Sequence, residues 1–253
     1  MRKIFLTISI LILVFNYQIF PQQFSEGSPE WLIDMFFNKD SFPEKTNYFF
    51  GEMVEESDQK TIGEELNGKG GILFHQLIAT NSNCVFAVEV QSENKTIDFY
   101  AYLVKMESNW KLMAIRRFFL PEFIYTVRDS LQKIQNLPAN DSAFLLSLQL
   151  FTKSDRELRN YLSVNQQKFQ ELISLFANNE KDKADIALAE VGCTAIYNDK
   201  KYPGCTFIQI LQFKNMEAGF IHAADSAFLP AISLDEFIYI EEVVPEWFVF
   251  RVM

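Results

Sequence analysis

Apolar and polar positions recur with strand-like spacing in four successive segments between Ile72 and Leu120. They read ILFHQLIAT, CVFAVEV, TIDFYAYLVKM and WKLMAIRRFFL, separated by Asn81-Ser82-Asn83, Ser92-Glu93-Asn94-Lys95 and Glu107-Ser108-Asn109. β-Branched and aromatic residues joined by short polar turns predict a four-stranded antiparallel meander. In the third segment Asp98, Tyr100 and Tyr102 share one face, and Ile97, Phe99, Ala101 and Leu103 share the other. In the second, Glu89 and Gln91 fall with Val85 and Ala87, opposite Phe86, Val88 and Val90. One face is apolar and the other mixed, the pattern of a half-covered sheet whose polar side meets solvent.

The flanking pattern is helical. Ser28-Pro29-Glu30-Trp31 has the N-cap, first-turn proline and acid of a helix start, with Trp31, Leu32, Met35 and Phe36 following at helical spacing. Between Asp40 and Gly71 the pattern is irregular. Beyond Pro121, Glu122 to Gln135 predicts a helix, and Leu137-Pro138 a domain boundary. Asp141-Ser142 is the expected cap of the next helix, AFLLSLQLF. Ser154-Asp155-Arg156-Glu157 and Ser163-Val164-Asn165-Gln166 both match a capping box, which predicts a bend and a new helix near Ser163, or one kinked helix. Asn179 to Asp185 reads as a charged connector. Residues 186–196, 204–213, 218–224, 237–242 and 247–252 alternate like short strands, with a long turn from Asp225 to Glu236.

The predicted fold class is α+β: an N-terminal helix plus the meander, a helical middle, and a small C-terminal antiparallel sheet. The expected division is a signal peptide over residues 1–21, an α+β meander domain over 26–137, a helical connector over 138–180, and a small β-rich domain over 184–253.

Composition narrows the function classes. The chain has 253 residues, a formal net charge of −10 and 26 Phe, so it has ample apolar volume for cores. No stretch of Lys and Arg forms a basic stripe, which argues against nucleic acid or an anionic lipid surface as partner. Met1-Arg2-Lys3 followed by IFLTISILILVF has the basic and apolar regions of a secretory signal, and is too short to span a bilayer. A periplasmic or secreted soluble protein is expected. Because Phe20-Pro21-Gln22 lacks a small-x-small cleavage site, an N-terminal membrane anchor is the alternative. Asn94-Lys95-Thr96 and Asn140-Asp141-Ser142 are formal glycosylation sequons.

Candidate chemistry is sparse. Asn67-Gly68-Lys69-Gly70-Gly71 lacks the Gly-Lys-Ser/Thr of a phosphate loop, and the acids from Glu52 to Asp58 lack the alternation of a calcium loop. There are only two histidines, His75 and His222, and no CxxC spacing, so no metal site or cofactor is expected. If residues 194–204 form a hairpin centred near Asp199, Cys193 and Cys205 lie opposite one another and can form a disulfide; three reduced core cysteines, with Cys84, are the alternative. A catalytic site would need a carboxylate and a phenol converging in an apolar pocket, where the acid's pKa rises and the phenol donates to an oxyanion. Asp98, Tyr100 and Tyr102, with Glu89 or His75 nearby, are the candidates. The competing expectation is an exposed polar face.

A helix near the start, followed by a meander ending in Asn109-Trp110-Lys111-Leu112, resembles the nuclear-transport-factor-2-like superfamily of α+β cone folds over residues 28–121. That resemblance implies a cone fold, but no single function, since its members include isomerases, dehydratases and binding or assembly domains. The C-terminal Phe237-Ile238-Tyr239-Ile240-Glu241 and Trp247-Phe248 resemble the ends of extracytoplasmic proteins from Bacteroidetes-type bacteria, and bring no activity with them. The expected function is a non-catalytic binding or assembly module for a protein or small molecule. The alternatives are a small-molecule isomerase or hydrolase using a pocket under the meander, and a secreted enzyme inhibitor.

Overall fold

A computed structural model describes residues 24–92 and 95–253. The expected signal segment and Asn94 of the first sequon lie outside these residues. Helix α1 (Pro29–Phe37) and two short helices, α2 (Glu52–Glu55) and α3 (Ile62–Glu65), precede the meander β1 (Gly71–Ala79), β2 (Asn83–Ser92), β3 (Lys95–Met106) and β4 (Asn109–Arg117). Four helices follow: α4 (Glu122–Gln132), α5 (Ala139–Phe151), α6 (Asp155–Ala177) and α7 (Lys181–Glu190). The chain closes with β5 (Ala195–Asn198), β6 (Cys205–Phe213), β7 (Met216–Ala223), β8 (Phe237–Val244) and β9 (Trp247–Val252). The molecule is α+β, with one sheet in the order β1-β2-β3-β4 and a second in the order β5-β6-β7-β9-β8, every pairing antiparallel.

Alternation divides the meander as expected, but both of its faces are covered. Leu32, Ile33, Phe36 and Phe37 of α1 pack against Phe86, Val88, Val90, Phe99, Ala101 and Leu103. On the mixed face, Val85, Ala87, Tyr100, Tyr102 and Ala114 join one buried cluster with Leu158, Leu162 and Phe169 of α6 and with Ile238, Tyr239, Trp247 and Val249 of the second sheet. Side chains from both sides of Leu137-Pro138 therefore fill the same core. The expectation of an exposed polar face is overturned: Tyr100 is 0% and Tyr102 4% exposed. The covering elements lie more than fifty residues downstream, beyond the reach of strand periodicity.

Local signals account for most of the helices. Ser28 caps α1 by accepting from the Trp31 N–H at 3.2 Å, and Ser154 forms a complete capping box with Glu157 at the start of α6. The second box is not used. Helix α6 runs unbroken through Ser163, because Leu158, Leu162, Phe169 and Leu172 form one continuous buried stripe that outweighs a local stop. Asp141-Ser142 do not cap α5 either; it starts at Ala139, after Pro138, whose fixed φ suits a helix entry.

The largest correction is α7, where a connector and a strand were expected. Its Ala, Leu and Glu residues are strong helix formers. Gly192, at φ 66°, ends it in a Schellman motif: Cys193 N–H donates to the Leu188 carbonyl at 2.9 Å, and Gly192 N–H to that of Ala189 at 3.2 Å. A Cβ at Gly192 would meet the Leu146 side chain at 2.6 Å.

Candidate functional site

The candidate residues converge where the head of α6 meets the polar face of β1–β3. Strand register places Glu89 directly opposite Asp98 and Ala87 opposite Tyr100, while His75 of β1 lies opposite Ala87. The capping box turns the chain so that Asp155, the first residue of α6, faces β3. The Asp155 backbone N–H donates to Asp98 Oδ2 at 3.0 Å, so a strand carboxylate satisfies one of the open donors at the helix head.

Asp155 holds the centre. Its Oδ2 accepts from the Tyr100 hydroxyl at 2.6 Å, and its Oδ1 from Arg251 Nε at 3.1 Å. Arg251, 2% exposed on β9, also donates from Nη2 to the Lys153 carbonyl at 2.7 Å and lies 4.4 Å from the Phe118 ring centroid. A buried guanidinium is tolerated because it is paired, hydrogen-bonded and stacked. Tyr100 also packs on Tyr239, with ring centroids 5.3 Å apart. Tyr102 donates instead to the backbone carbonyls of Ser233 at 2.9 Å and Ile238 at 3.2 Å, so it pins the approach to β8.

A second cluster closes the rim. Glu241 of β8 accepts from Tyr239 at 2.6 Å and Arg159 at 2.5 Å, and lies 2.9 Å from His75 Nε2; Arg156 pairs with Glu89 at 2.8 Å. Between the clusters lies a cavity of about 130 Å³, lined in part by Ala87, Asp98, Arg156 and Tyr239. Among the described residues no buried side-chain nitrogen or oxygen lacks a partner.

The electrostatics follow from this partnering. Burial, then the neighbouring Asp155 charge, push the Asp98 carboxyl up to about 7, against the Asp155 N–H and the Arg251 charge. Burial also raises Asp155, against the Arg251 charge and the hydrogen bonds from Tyr100 and Arg251. Tyr100 is raised well above the ordinary phenol value by burial and by Asp155. Burial works against the Glu241 charge, yet hydrogen bonds from His75, Tyr239 and Arg159 hold it at about 2.

All five sequence candidates lie on the face that meets α6 and β8, with Tyr102 held apart on β8's backbone. Missing from them were Asp155, Glu241, Arg159 and Arg251, which lie far along the chain. One signal for Arg251 was legible: a charge inside the apolar strand Trp247-Phe248-Val249-Phe250 needs a buried partner.

The expected Cys193–Cys205 disulfide is not formed, and Cys84, Cys193 and Cys205 are buried free thiols. Opposing those cysteines would set Asn198 against Lys200, whereas Asn198 pairs with Thr206. Cys193 is fixed instead in the turn that ends α7. Burial pushes the Cys84 thiol up to about 12 and raises Cys193 as well. Among the described residues no group of three or more His, Cys, Asp or Glu is arranged to hold a metal ion, and no helix is long and apolar enough to cross a membrane.

No family model, curated protein or solved structure matches the chain. The cone-fold and Bacteroidetes-type resemblances draw no support from relatives.

Proposed function

We propose that this chain is a non-catalytic binding or assembly module that works outside the cytoplasm. The observation that carries the reading is the commitment of the candidate face to an internal contact. Tyr100, the phenol a catalytic pair would need, is fully buried and already donates to Asp155. The cavity beside Asp98, at about 130 Å³, is well under the roughly 300 Å³ at the lower end of small-molecule sites. Location outside the cytoplasm is supported by the basic and apolar pattern of Met1 to Phe15. Residues 28–121 are read as a nuclear-transport-factor-2-like unit, supported by a helix leading into a meander and packing on its apolar face.

One observation favours a second reading, a small-molecule isomerase or hydrolase. Asp98 lines the cavity with its carboxyl raised to about 7, which suits a general acid or base near neutral pH. The readings separate in a turnover assay of the purified full chain with chromogenic esters, glycosides and enolisable ketones. The non-catalytic reading predicts no turnover above a buffer blank. Turnover that Asp98→Asn removes, with circular dichroism unchanged, would overturn it and establish the second reading.

A further inference from the structure

Where the end of α6 and the start of α7 meet β5, the chain leaves a gap. A cavity of about 420 Å³ opens there, with Phe176 of α6, Ala184 of α7 and Ile196 of β5 as its apolar walls. Ala184 makes the room: it is buried, and its methyl group leaves the space between Phe176 and Ile196 unfilled. Both larger walls are fixed by backbone bonds. Asn179, at φ 58°, turns the chain out of α6, its N–H donating to the Phe176 carbonyl at 3.0 Å and that of Glu180 to the Leu175 carbonyl at 3.0 Å. Ile196 is paired opposite Ile208 of β6. The hollow therefore stands ready formed on regular elements. Unlike the cavity beside Asp98, it exceeds the roughly 300 Å³ at the lower end of small-molecule sites.

The charges at its mouth say what fits. Lys181 and Asp185, one turn apart on α7, both line the cavity, and neither makes an ion pair among the described residues. Glu180 beside them is already taken by Lys183 at 2.5 Å. One free cation and one free anion thus border an apolar hollow. We infer that this corner binds a free α-amino acid with a large apolar side chain, of the leucine or phenylalanine kind. The side chain lies against Phe176, Ala184 and Ile196, the α-carboxylate faces Lys181 and the α-ammonium faces Asp185. Residues four apart on a helix have Cβ atoms about 5–6 Å from one another, so a flexible lysine stem and an aspartate can converge on two charges carried by one carbon. A fatty acid would leave Asp185 unmatched, and an apolar amine would leave Lys181 unmatched. A zwitterion matches both.

This inference rests on the binding reading and gives it a ligand class, since binding here is reversible and no bond is made or broken. The test is titration of the isotope-labelled full chain with L-leucine and L-phenylalanine, followed by amide NMR. At least one should give saturable shifts centred on residues 176–185 and 195–197. The single-headed analogues, isocaproate and isoamylamine for leucine, hydrocinnamate and phenethylamine for phenylalanine, should bind about two- to fivefold more weakly than the parent amino acid. Lys181→Gln and Asp185→Asn, both at exposed positions where the fold does not depend on the charge, should each weaken the amino acid by about the same factor. Absence of saturable shifts from both amino acids would overturn the inference. So would shifts centred on Ala87, Asp98 and Arg156, or single-headed analogues that bind as tightly as the zwitterion. Those failures leave the turnover assay unaffected, whereas turnover lost in Asp98→Asn would overturn the non-catalytic reading with the shifts at α7 still in place.

Discussion

Arg251 and Asp155 set the terms at the scale of single residues. Both are buried, and each is tolerable only because the other is present. Removing the cation in Arg251→Leu leaves the Asp155 charge with the Tyr100 hydroxyl alone and frees the Lys153 and Phe151 carbonyls. The expected loss is about 3–5 kcal/mol of stability, measured by urea unfolding. A loss under about 1 kcal/mol, the range of exposed ion pairs, would contradict the burial described here. Part of this was legible: strand alternation alone put Asp98, Tyr100 and Tyr102 on one face, and register adds Glu89 and His75. Alternation says which side chains share a face, but not what covers that face. The partners Asp155, Glu241 and Arg251 come from elements that approach only in the folded molecule.

Elements were legible where capping and periodicity agreed, and misread where they disagreed. Ser154 and Ser163 show the contrast within a single helix. Both begin a Ser-x-x-Glu/Gln pattern, but only Ser154 has a non-helical backbone and accepts the Glu157 N–H. Ser154→Ala should therefore cost about 0.5–2 kcal/mol. Ser163→Ala, inside the continuous helix, should stay within about 0.5 kcal/mol of wild type in the same denaturation. A comparable loss at Ser163 would mean that α6 breaks there after all. At α7 the alternation of Ile186 and Leu188 resembles a strand, while Ala, Leu and Glu propensity and the Gly192 stop favour a helix. Propensity and the cap were the better guides. The error also displaced Cys193 from the hairpin on which the disulfide depended.

For the whole molecule, the meander first read as an independent sheet with a wet face. In the structure it is the middle layer between α1 and a core shared with α6 and the second sheet. Tyr100–Asp155–Arg251 joins three elements from opposite ends of the chain in one buried network, the arrangement expected of a cooperative unit. The central claim is that the meander's polar face is an interior contact and not a solvent surface. Trp31 and Trp110 pack in the α1 core, whereas Trp247 is buried in the core beyond Tyr100, so Trp247 can report on the far side of that contact. The most direct measurement is urea unfolding of Tyr100→Phe in a Trp31→Phe, Trp110→Phe background, followed by Trp247 fluorescence. Loss of the phenolic donor leaves a buried carboxylate oxygen unsatisfied and should lower stability at Trp247 by about 1–3 kcal/mol. A Trp247 transition unchanged from that of the same background with Tyr100 intact would contradict the account.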